Sequence, residues 1–233
     1  MTRRTPAAPS LRQELRTVAT RLLLPFLVAG ALSVLIGLLL TRLFAGSDLA
    51  EADVATSRWL AEHRSGTVVT LTDHLTLLGE TPVIVGLTAL GALVLRLVHR
   101  RWREPLILVV CVCGQAVIFL TTTVLIDRDR PAVVRLDASP PTSSFPSGHT
   151  AATTAFYVGL ALLVAWHTRR AWLRRLVVGV GLMCPLAMAF CRMYRGMHYL
   201  TDVTMSVTLG LGLLTLALRL MPLDEVPHRP APG

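Results

Sequence analysis

Long runs of apolar residues recur along the chain, and polar or charged residues separate them. Each run is roughly 20 residues long, which is enough for a helix to cross the hydrocarbon core of a bilayer. The runs lie at residues 22–41, 79–98, 105–126, 149–167, 172–191 and 199–219. The pattern predicts an all-α, polytopic membrane protein in which about six transmembrane helices form a bundle.

The polar segments divide the chain into one membrane domain and two tails. Residues 1–20 are polar and basic, which predicts a cytoplasmic N-terminal tail, and residues 221–233 form a second cytoplasmic tail. Residues 21–220 make up the six-helix domain. Within it, residues 45–78 mix charged and apolar positions, which predicts short interfacial helices on the extracytoplasmic side. The first apolar run is longer than the core of a signal peptide, so we expect it to be retained, with cleavage at the downstream Ala50-Glu51-Ala52 as the alternative.

The composition agrees with a membrane protein. Hydrophobic residues make up 53% of the chain and charged residues 16%, and the net charge is +9. Every basic side chain apart from histidine is an arginine. These arginines flank the apolar runs instead of forming one basic surface, so we do not expect nucleic-acid binding. The cysteines lie in apolar runs and are interpreted as packing residues, namely Cys111, Cys113, Cys184 and Cys191.

The distribution of arginine predicts how the helices are oriented. Arginines cluster in the N-terminal tail, between the second and third runs, and between the fourth and fifth runs. The positive-inside rule places all three regions in the cytoplasm of a plasma-membrane protein. The loops at 127–148 and 192–198 then lie outside, although they also carry arginines. We therefore expect these outer arginines to serve a purpose other than topology.

The segment Pro146-Ser147-Gly148-His149 stands where the outer loop meets the fourth run. Proline suits the first turn of a helix, and the unpaired N–H groups of Ser147 and Gly148 would form an anion site at the helix N-terminus. His149 would lie beside that anion, where it could donate a proton. The alternative is an ordinary helix N-terminus with a capping histidine.

His198 and Asp202 are four residues apart, so they share one face of a helix. A carboxylate that accepts a hydrogen bond from one imidazole nitrogen would leave the other nitrogen free as a nucleophile or base. The alternative is a structural polar pair between helices.

Arg130 and Arg192 stand at the outer ends of the third and fifth runs, where a guanidinium group matches phosphate oxygens. Contact with lipid headgroups is the alternative for each arginine alone. Together with the histidines and Asp202, they describe one outer pocket. Two histidines and an aspartate could also bind zinc, but the surrounding positive charge favours an anion.

The motifs resemble those of the type 2 phosphatidic acid phosphatase superfamily, which are K-x6-R-P, P-S-G-H and S-R-x5-H-x3-D. The matching residues here are Arg130-Pro131, Pro146 to His149, and Arg192, His198 and Asp202. Two positions differ, because Thr123 stands in place of the lysine and Cys191 in place of the serine. Arg128 is the nearest residue that could supply the missing charge.

The resemblance implies a role for each site residue. His198 attacks phosphorus, Asp202 orients His198, and His149 protonates the leaving oxygen and then activates water. Arg130, Arg192 and the N–H groups of Ser147 and Gly148 hold the phosphoryl oxygens, with Arg128 as a further candidate. No metal or other cofactor is implied, and paired acid and base roles predict a bell-shaped pH profile.

The function implied by the resemblance is a lipid phosphate or diphosphate phosphatase that acts at the extracytoplasmic face. The partner is then a lipid substrate such as undecaprenyl diphosphate, phosphatidic acid or phosphatidylglycerol phosphate. Two alternatives stay open. One is a lipid phosphotransferase that uses the same site, and the other is a non-catalytic lipid-binding or transport protein.

Overall fold

The computed structural model describes residues 10–139 and 141–223, and every regular element within these residues is a helix. Six helices are long and apolar enough to span a membrane. We call them the first to sixth spans: Leu11–Leu43, Thr81–His99, Arg103–Leu125, Gly148–His167, Ala171–Tyr194 and Leu200–Leu220. The predicted all-helical fold with six membrane helices is confirmed.

The first span begins earlier than the hydrophobic pattern predicts. Its N-cap is Ser10, whose hydroxyl accepts a hydrogen bond from the backbone N–H of Gln13, and the Gln13 side chain completes a capping box. Residues 11–20, predicted as part of the tail, therefore continue the membrane helix. The buried Glu14 accepts a hydrogen bond from Arg103 Nε at 3.2 Å, which ties this extension to the third span. Residues 1–9 and 224–233 of the predicted tails lie outside the described residues.

The segment predicted to form interfacial helices contains the helices Asp48–Glu62 and Gly66–Thr76. A short 3₁₀ turn at Leu77–Gly79 leads from the second of these helices into the second span. Pro82, at the start of that span, fits the first helical turn because it needs no hydrogen-bond partner for a backbone N–H. Both helices pack against the fifth span, so this segment covers one end of the bundle.

The fourth span lies at the centre of the bundle. Its most apolar window is 61% buried, whereas the corresponding windows of the first and second spans are each 17% buried. Small residues allow the neighbouring helices to approach it closely. A Cβ atom on Gly181 would lie 2.4 Å from the Ala161 Cβ, and one on Gly210 would lie 2.6 Å from the Thr154 methyl carbon. The fourth span therefore holds its N-terminal residues at a fixed position.

Apolar side chains divide between the core and the lipid-facing surface. Residues such as Leu108, Leu163 and Leu214 are almost fully buried in one cluster. Others, including Leu24 and Leu97, are more than 60% exposed on the outside of the bundle. An exposed leucine surface of this kind fits a hydrocarbon environment.

Candidate active site

Two connecting segments meet at one end of the bundle. Residues 126–147 connect the third and fourth spans, and residues 195–199 connect the fifth and sixth spans. The backbone N–H of Leu136 donates to the Arg195 carbonyl at 3.1 Å, and Arg130 Nη1 donates to the Met197 carbonyl at 2.8 Å. These bonds bring the motif residues of both segments to the same place.

His198 lies in the second of these segments and is buried. Its Nδ1 atom lies 2.7 Å from the backbone carbonyl oxygen of Ser144. A carbonyl can only accept, so Nδ1 carries the proton and Nε2 keeps its lone pair. The nearest Asp202 oxygen is 3.7 Å from Nδ1, too far for a hydrogen bond. The predicted contact between His198 and Asp202 is therefore longer than an ordinary hydrogen bond in this structure, and the orienting role of Asp202 stays a prediction.

The Asp202 carboxylate is fully buried and has other partners. It accepts a hydrogen bond from the Tyr199 backbone N–H at 2.9 Å and another from the Arg128 guanidinium. Asp202 thus fixes the turn that precedes the sixth span. Its charge also lies close enough to His198 to affect that imidazole.

Arg128 does not line the cavity that contains the histidines. Its guanidinium bridges Asp202 and Asp53, with Nη2 2.8 Å from the Asp53 carboxylate, and it stacks over the Tyr199 ring at 4.8 Å. Two buried carboxylates already compensate its charge. The expectation that Arg128 replaces the missing lysine as a phosphate ligand is therefore not supported by its position.

Ser147 and Gly148 differ in whether they are placed to bind an anion in the cavity. The Ser147 backbone N–H donates to the Ser206 hydroxyl at 2.9 Å, and this residue is fully buried. That N–H already has a partner in this structure, and the role of Ser147 as an anion ligand stays a prediction. Gly148 does line the cavity, and a Cβ at this position would lie 2.9 Å from the Phe119 ring. Glycine thus lets the chain pass beneath Phe119 at the helix start.

Arg130 and Arg192 both line the cavity and keep part of their hydrogen-bonding capacity unused. The Nε atom of each is buried and has no hydrogen-bond partner among the described residues. Arg192 Nη1 donates to Asp137 at 2.7 Å, which holds its side chain in place. Burial lowers the pKa of Arg130, and the nearby positive charge of Arg192 lowers it further. Two adjacent guanidinium groups with unpaired N–H donors form a suitable site for an anion.

His149, the first histidine of the motifs, also lines the cavity. Its Nε2 atom lies 3.3 Å from Glu80 Oε1, and Glu80 immediately precedes the second span. A carboxylate oxygen at this distance can accept a hydrogen bond from Nε2–H, the group that would deliver a proton to a leaving oxygen. Glu80 is therefore a further residue of this site.

The cavity has a volume of about 700 Å³, within the usual range for a small-molecule site. The histidines and arginines stand at one part of its wall. Another part is apolar and comes from the second and third spans, including Ile84, Val85, Val112 and Phe119. A ligand with a phosphate head and an apolar body matches both parts.

Comparison with known proteins identifies the family. Residues 104–224, about half of the chain, match the family described as the PAP2 superfamily. The chain belongs to the PAP2 superfamily. The identification of the family from the sequence motifs is confirmed.

Solved structures show the same fold. One is a transmembrane PAP2-type phosphatidylglycerolphosphate phosphatase from Bacillus subtilis, with a TM-score of 0.72 and 22% identity, covering 81% of this chain and 93% of that one. Another is LpxE from Aquifex aeolicus, with a TM-score of 0.55 and 19% identity, covering 72% of this chain and 94% of that one. No curated protein sequence matches this chain. This PAP2 protein is a multi-pass membrane protein.

The two departures from the PAP2 motifs lie outside the cavity wall. Thr123 is buried in the third span, and its hydroxyl has no partner among the described residues. Cys191 is fully buried in the fifth span. Neither residue lines the cavity. The positive charge of this PAP2 site therefore comes from arginines.

The motif pattern did not reveal several residues that shape the site. Asp137 and Arg195 both line the cavity and pair with each other at 2.5 Å, and Arg195 also contacts Asp73 at 2.8 Å. Asp53, from the helix Asp48–Glu62, holds Arg128 and Thr201 beside Asp202. The only sequence signal for Glu80 was an acidic residue next to an apolar run.

Proposed function

We propose that this PAP2 protein hydrolyses a lipid phosphate or diphosphate through a phosphohistidine formed on His198, without a metal ion. One observation carries the proposal. Arg130 and Arg192 line the same cavity as His149 and His198. Phosphoryl transfer depends mainly on positioning and on stabilising charge, and the two guanidinium groups supply both.

In the first step, the Nε2 lone pair of His198 attacks phosphorus and forms an N–P bond. The bond breaks between phosphorus and the leaving oxygen, which is the ester oxygen of a lipid phosphate or the bridging oxygen of a diphosphate, and that oxygen takes a proton from His149. The Ser144 carbonyl accepts a hydrogen bond from Nδ1–H, so it holds the imidazole in the required tautomer and stabilises its growing positive charge. Glu80 stabilises protonated His149 before the transfer.

In the second step, His149, now neutral, takes a proton from a water molecule. The water oxygen attacks phosphorus, the N–P bond breaks, and its electron pair returns to His198 Nε2. Inorganic phosphate then leaves, and His149 is again protonated. Arg130 and Arg192 hold the phosphoryl oxygens through both steps, which keeps the negative charge in one position.

The cavity also supports a lipid as the substrate. Its apolar wall comes from spans that face the hydrocarbon region, so an acyl or prenyl chain could stay in the membrane while the phosphate reaches the arginines. The distribution of arginine favours an extracytoplasmic position for this end of the bundle. Undecaprenyl diphosphate, phosphatidic acid and phosphatidylglycerol phosphate are the candidate substrates.

The test is phosphate release by the purified chain in detergent and EDTA, with each of the three lipids. His198→Ala should remove the activity, whereas His63→Gln should not, because His63 is exposed and lies outside the cavity. Brief incubation with ³²P-labelled lipid should label the wild type with an acid-labile phosphate and leave His198→Ala unlabelled.

Two results would contradict the proposal. One is the absence of phosphate release from all three lipids, and the other is equal activity in His198→Ala and wild type. Transfer of the label to an added alcohol, with little free phosphate, would instead identify a phosphotransferase. Lipid binding without turnover would identify a non-catalytic protein.

A further inference from the structure

A second group of polar side chains lies at the end of the bundle opposite to the candidate active site. His99 ends the second span, Glu104 lies in the first turn of the third span, and His167 ends the fourth span. One potential ligand atom from each residue lies within 4.8 Å of the others. The second span has 19 residues, which separates this group from Glu80 by about 28 Å.

Glu104 is a buried carboxylate that is poorly satisfied by its surroundings. It is only 1% exposed, and neither of its oxygens has a hydrogen bond of acceptable geometry to a described residue. Arg101 Nη2 lies 2.8 Å from Oε1, and His167 Nε2 lies 3.3 Å from the same oxygen. Arg101 is an adjacent, partly exposed cation, so it offsets the charge without completing the coordination of either oxygen.

The two histidines face the carboxylate as a pair. Their rings stack with centroids 3.9 Å apart and planes 28° apart, and His167 Nε2 is itself buried without a hydrogen-bond partner among the described residues. Three buried polar atoms, two from Glu104 and one from His167, thus lie close together. Both histidines stand at helix C-termini, where the partial negative charge of the helix favours a cation.

We propose that His99, Glu104 and His167 bind a divalent transition-metal ion of the zinc class. Two imidazole nitrogens and one carboxylate oxygen form a ligand set that zinc accepts, with a water molecule in the fourth position. Donor atoms of a tetrahedral zinc site are about 3.3 Å apart, so small side-chain rotations would close the present group around the ion. Arg101 would then move away from the carboxylate.

Such an ion would join the ends of the second, third and fourth spans. Its role would be structural, because about 28 Å separates it from the cavity with the motif histidines. The proposal is independent of the catalytic one: the proposed phosphatase reaction uses no metal, whereas this site would stabilise the opposite end of the bundle.

The test uses the full chain, purified in detergent with any affinity tag removed and stripped with EDTA. The stripped protein is equilibrated with Zn²⁺ alone, desalted and analysed for metal content. We expect one zinc ion per chain in the wild type and in His63→Gln, which changes an exposed histidine elsewhere. We expect His99→Gln and His167→Gln to lose the ion on desalting. Their dissociation constants for zinc should rise at least about tenfold, because mutation of residues that only hold a zinc ligand in place already has effects of that size.

Equal zinc retention in the wild type and both histidine variants would overturn the proposal. Because a variant could fail to fold, each is first checked for monodisperse elution, and the zinc-edge X-ray absorption spectrum of the wild type gives a second readout. Scattering from two imidazoles supports the site, whereas a shell of oxygen ligands only would refute it. Phosphatase activity should survive zinc removal, so loss of catalysis and loss of metal binding can be told apart.

Discussion

The Nδ1 atom of His198 lies 2.7 Å from the backbone carbonyl oxygen of Ser144, whereas the nearest Asp202 oxygen is 3.7 Å away. The tautomer of the proposed nucleophile is therefore set by the main chain. Because Ser144 N–H donates to the Arg128 carbonyl at 2.8 Å, the loop that carries this carbonyl is itself held in place. Asp202 acts on His198 through its charge and through the turn that it stabilises.

Replacing Asp202 by asparagine should therefore reduce activity without abolishing it. A histidine that loses a carboxylate partner and takes the wrong tautomer loses about 10⁴-fold in rate in a serine protease. Here the Ser144 carbonyl keeps the tautomer, so we expect a smaller decrease in kcat/KM for Asp202→Asn and complete loss for His198→Ala. Steady-state phosphate release with both variants provides the measurement. Equal loss in the two variants would show that Asp202 controls the imidazole directly.

The pH dependence of the reaction should reflect the burial of His198. Burial lowers the pKa of His198, and the Asp202 carboxylate offsets the effect only in part. The cation is the disfavoured form, so the imidazole stays neutral at pH values below its ordinary pKa of about 6.5. The nucleophile is needed in its neutral form. The acidic limb of the profile of kcat/KM against pH should therefore have its midpoint below that pKa. An acidic limb with its midpoint above about pH 6.5 would contradict the assignment of His198 as the nucleophile.

Arg128 should be important for stability more than for phosphate binding. Arg128→Ala would leave the buried carboxylates of Asp53 and Asp202 without their shared cation. Removing one partner of a buried ion pair costs about 3–5 kcal/mol, so the thermal midpoint in detergent should fall clearly. Arg130→Ala is the matched comparison: it should reduce activity and lower the midpoint less than Arg128→Ala, because it removes one hydrogen bond to a backbone carbonyl and leaves both buried carboxylates paired. A stable Arg128→Ala protein with weakened substrate binding would instead indicate a phosphate ligand.

The general architecture of the site could be predicted from the sequence because helix ends and motif spacing determine it. His149 begins the fourth span, and Arg192 lies near the end of the fifth, so both reach the same face of a six-helix bundle. The hydrophobic pattern placed most span ends within a few residues. It failed at Leu11, because a capping box and the Glu14–Arg103 pair extend a helix through polar sequence.

The choice of hydrogen-bond partners could not be predicted in the same way. Ser147 N–H pairs with Ser206, and Arg128 pairs with Asp53, which is 75 positions away in the sequence. Such pairs depend on how loops cross in three dimensions, and neither periodicity nor local spacing encodes that. The same applies to the Ser144 carbonyl, since any residue type could supply a backbone oxygen.

Gln115 should influence which lipid is preferred. Its side chain is 1% exposed in the third span, borders the cavity, and has no hydrogen-bond partner for either amide atom among the described residues. An ester carbonyl of a glycerophospholipid could accept from this amide, whereas a prenyl chain offers no acceptor. Gln115→Leu should therefore lower kcat/KM for phosphatidic acid relative to undecaprenyl diphosphate, by up to about tenfold for one hydrogen bond. Ile84→Leu, on the same cavity wall, is the control, and an unchanged ratio in Gln115→Leu would refute the role.

Glu80 should matter most when the leaving group needs a proton. Its carboxylate lies 3.3 Å from His149 Nε2 and is 44% exposed, so solvent screens part of the interaction. An exposed ion pair contributes up to about 1 kcal/mol, which corresponds to a decrease of about fivefold for Glu80→Gln on a lipid alkyl phosphate. A nitrophenyl phosphate releases a stable phenolate without protonation, so its kcat/KM should change little in the same variant. A similar decrease with both substrates would show that Glu80 affects the cavity in general instead of assisting His149 as the acid.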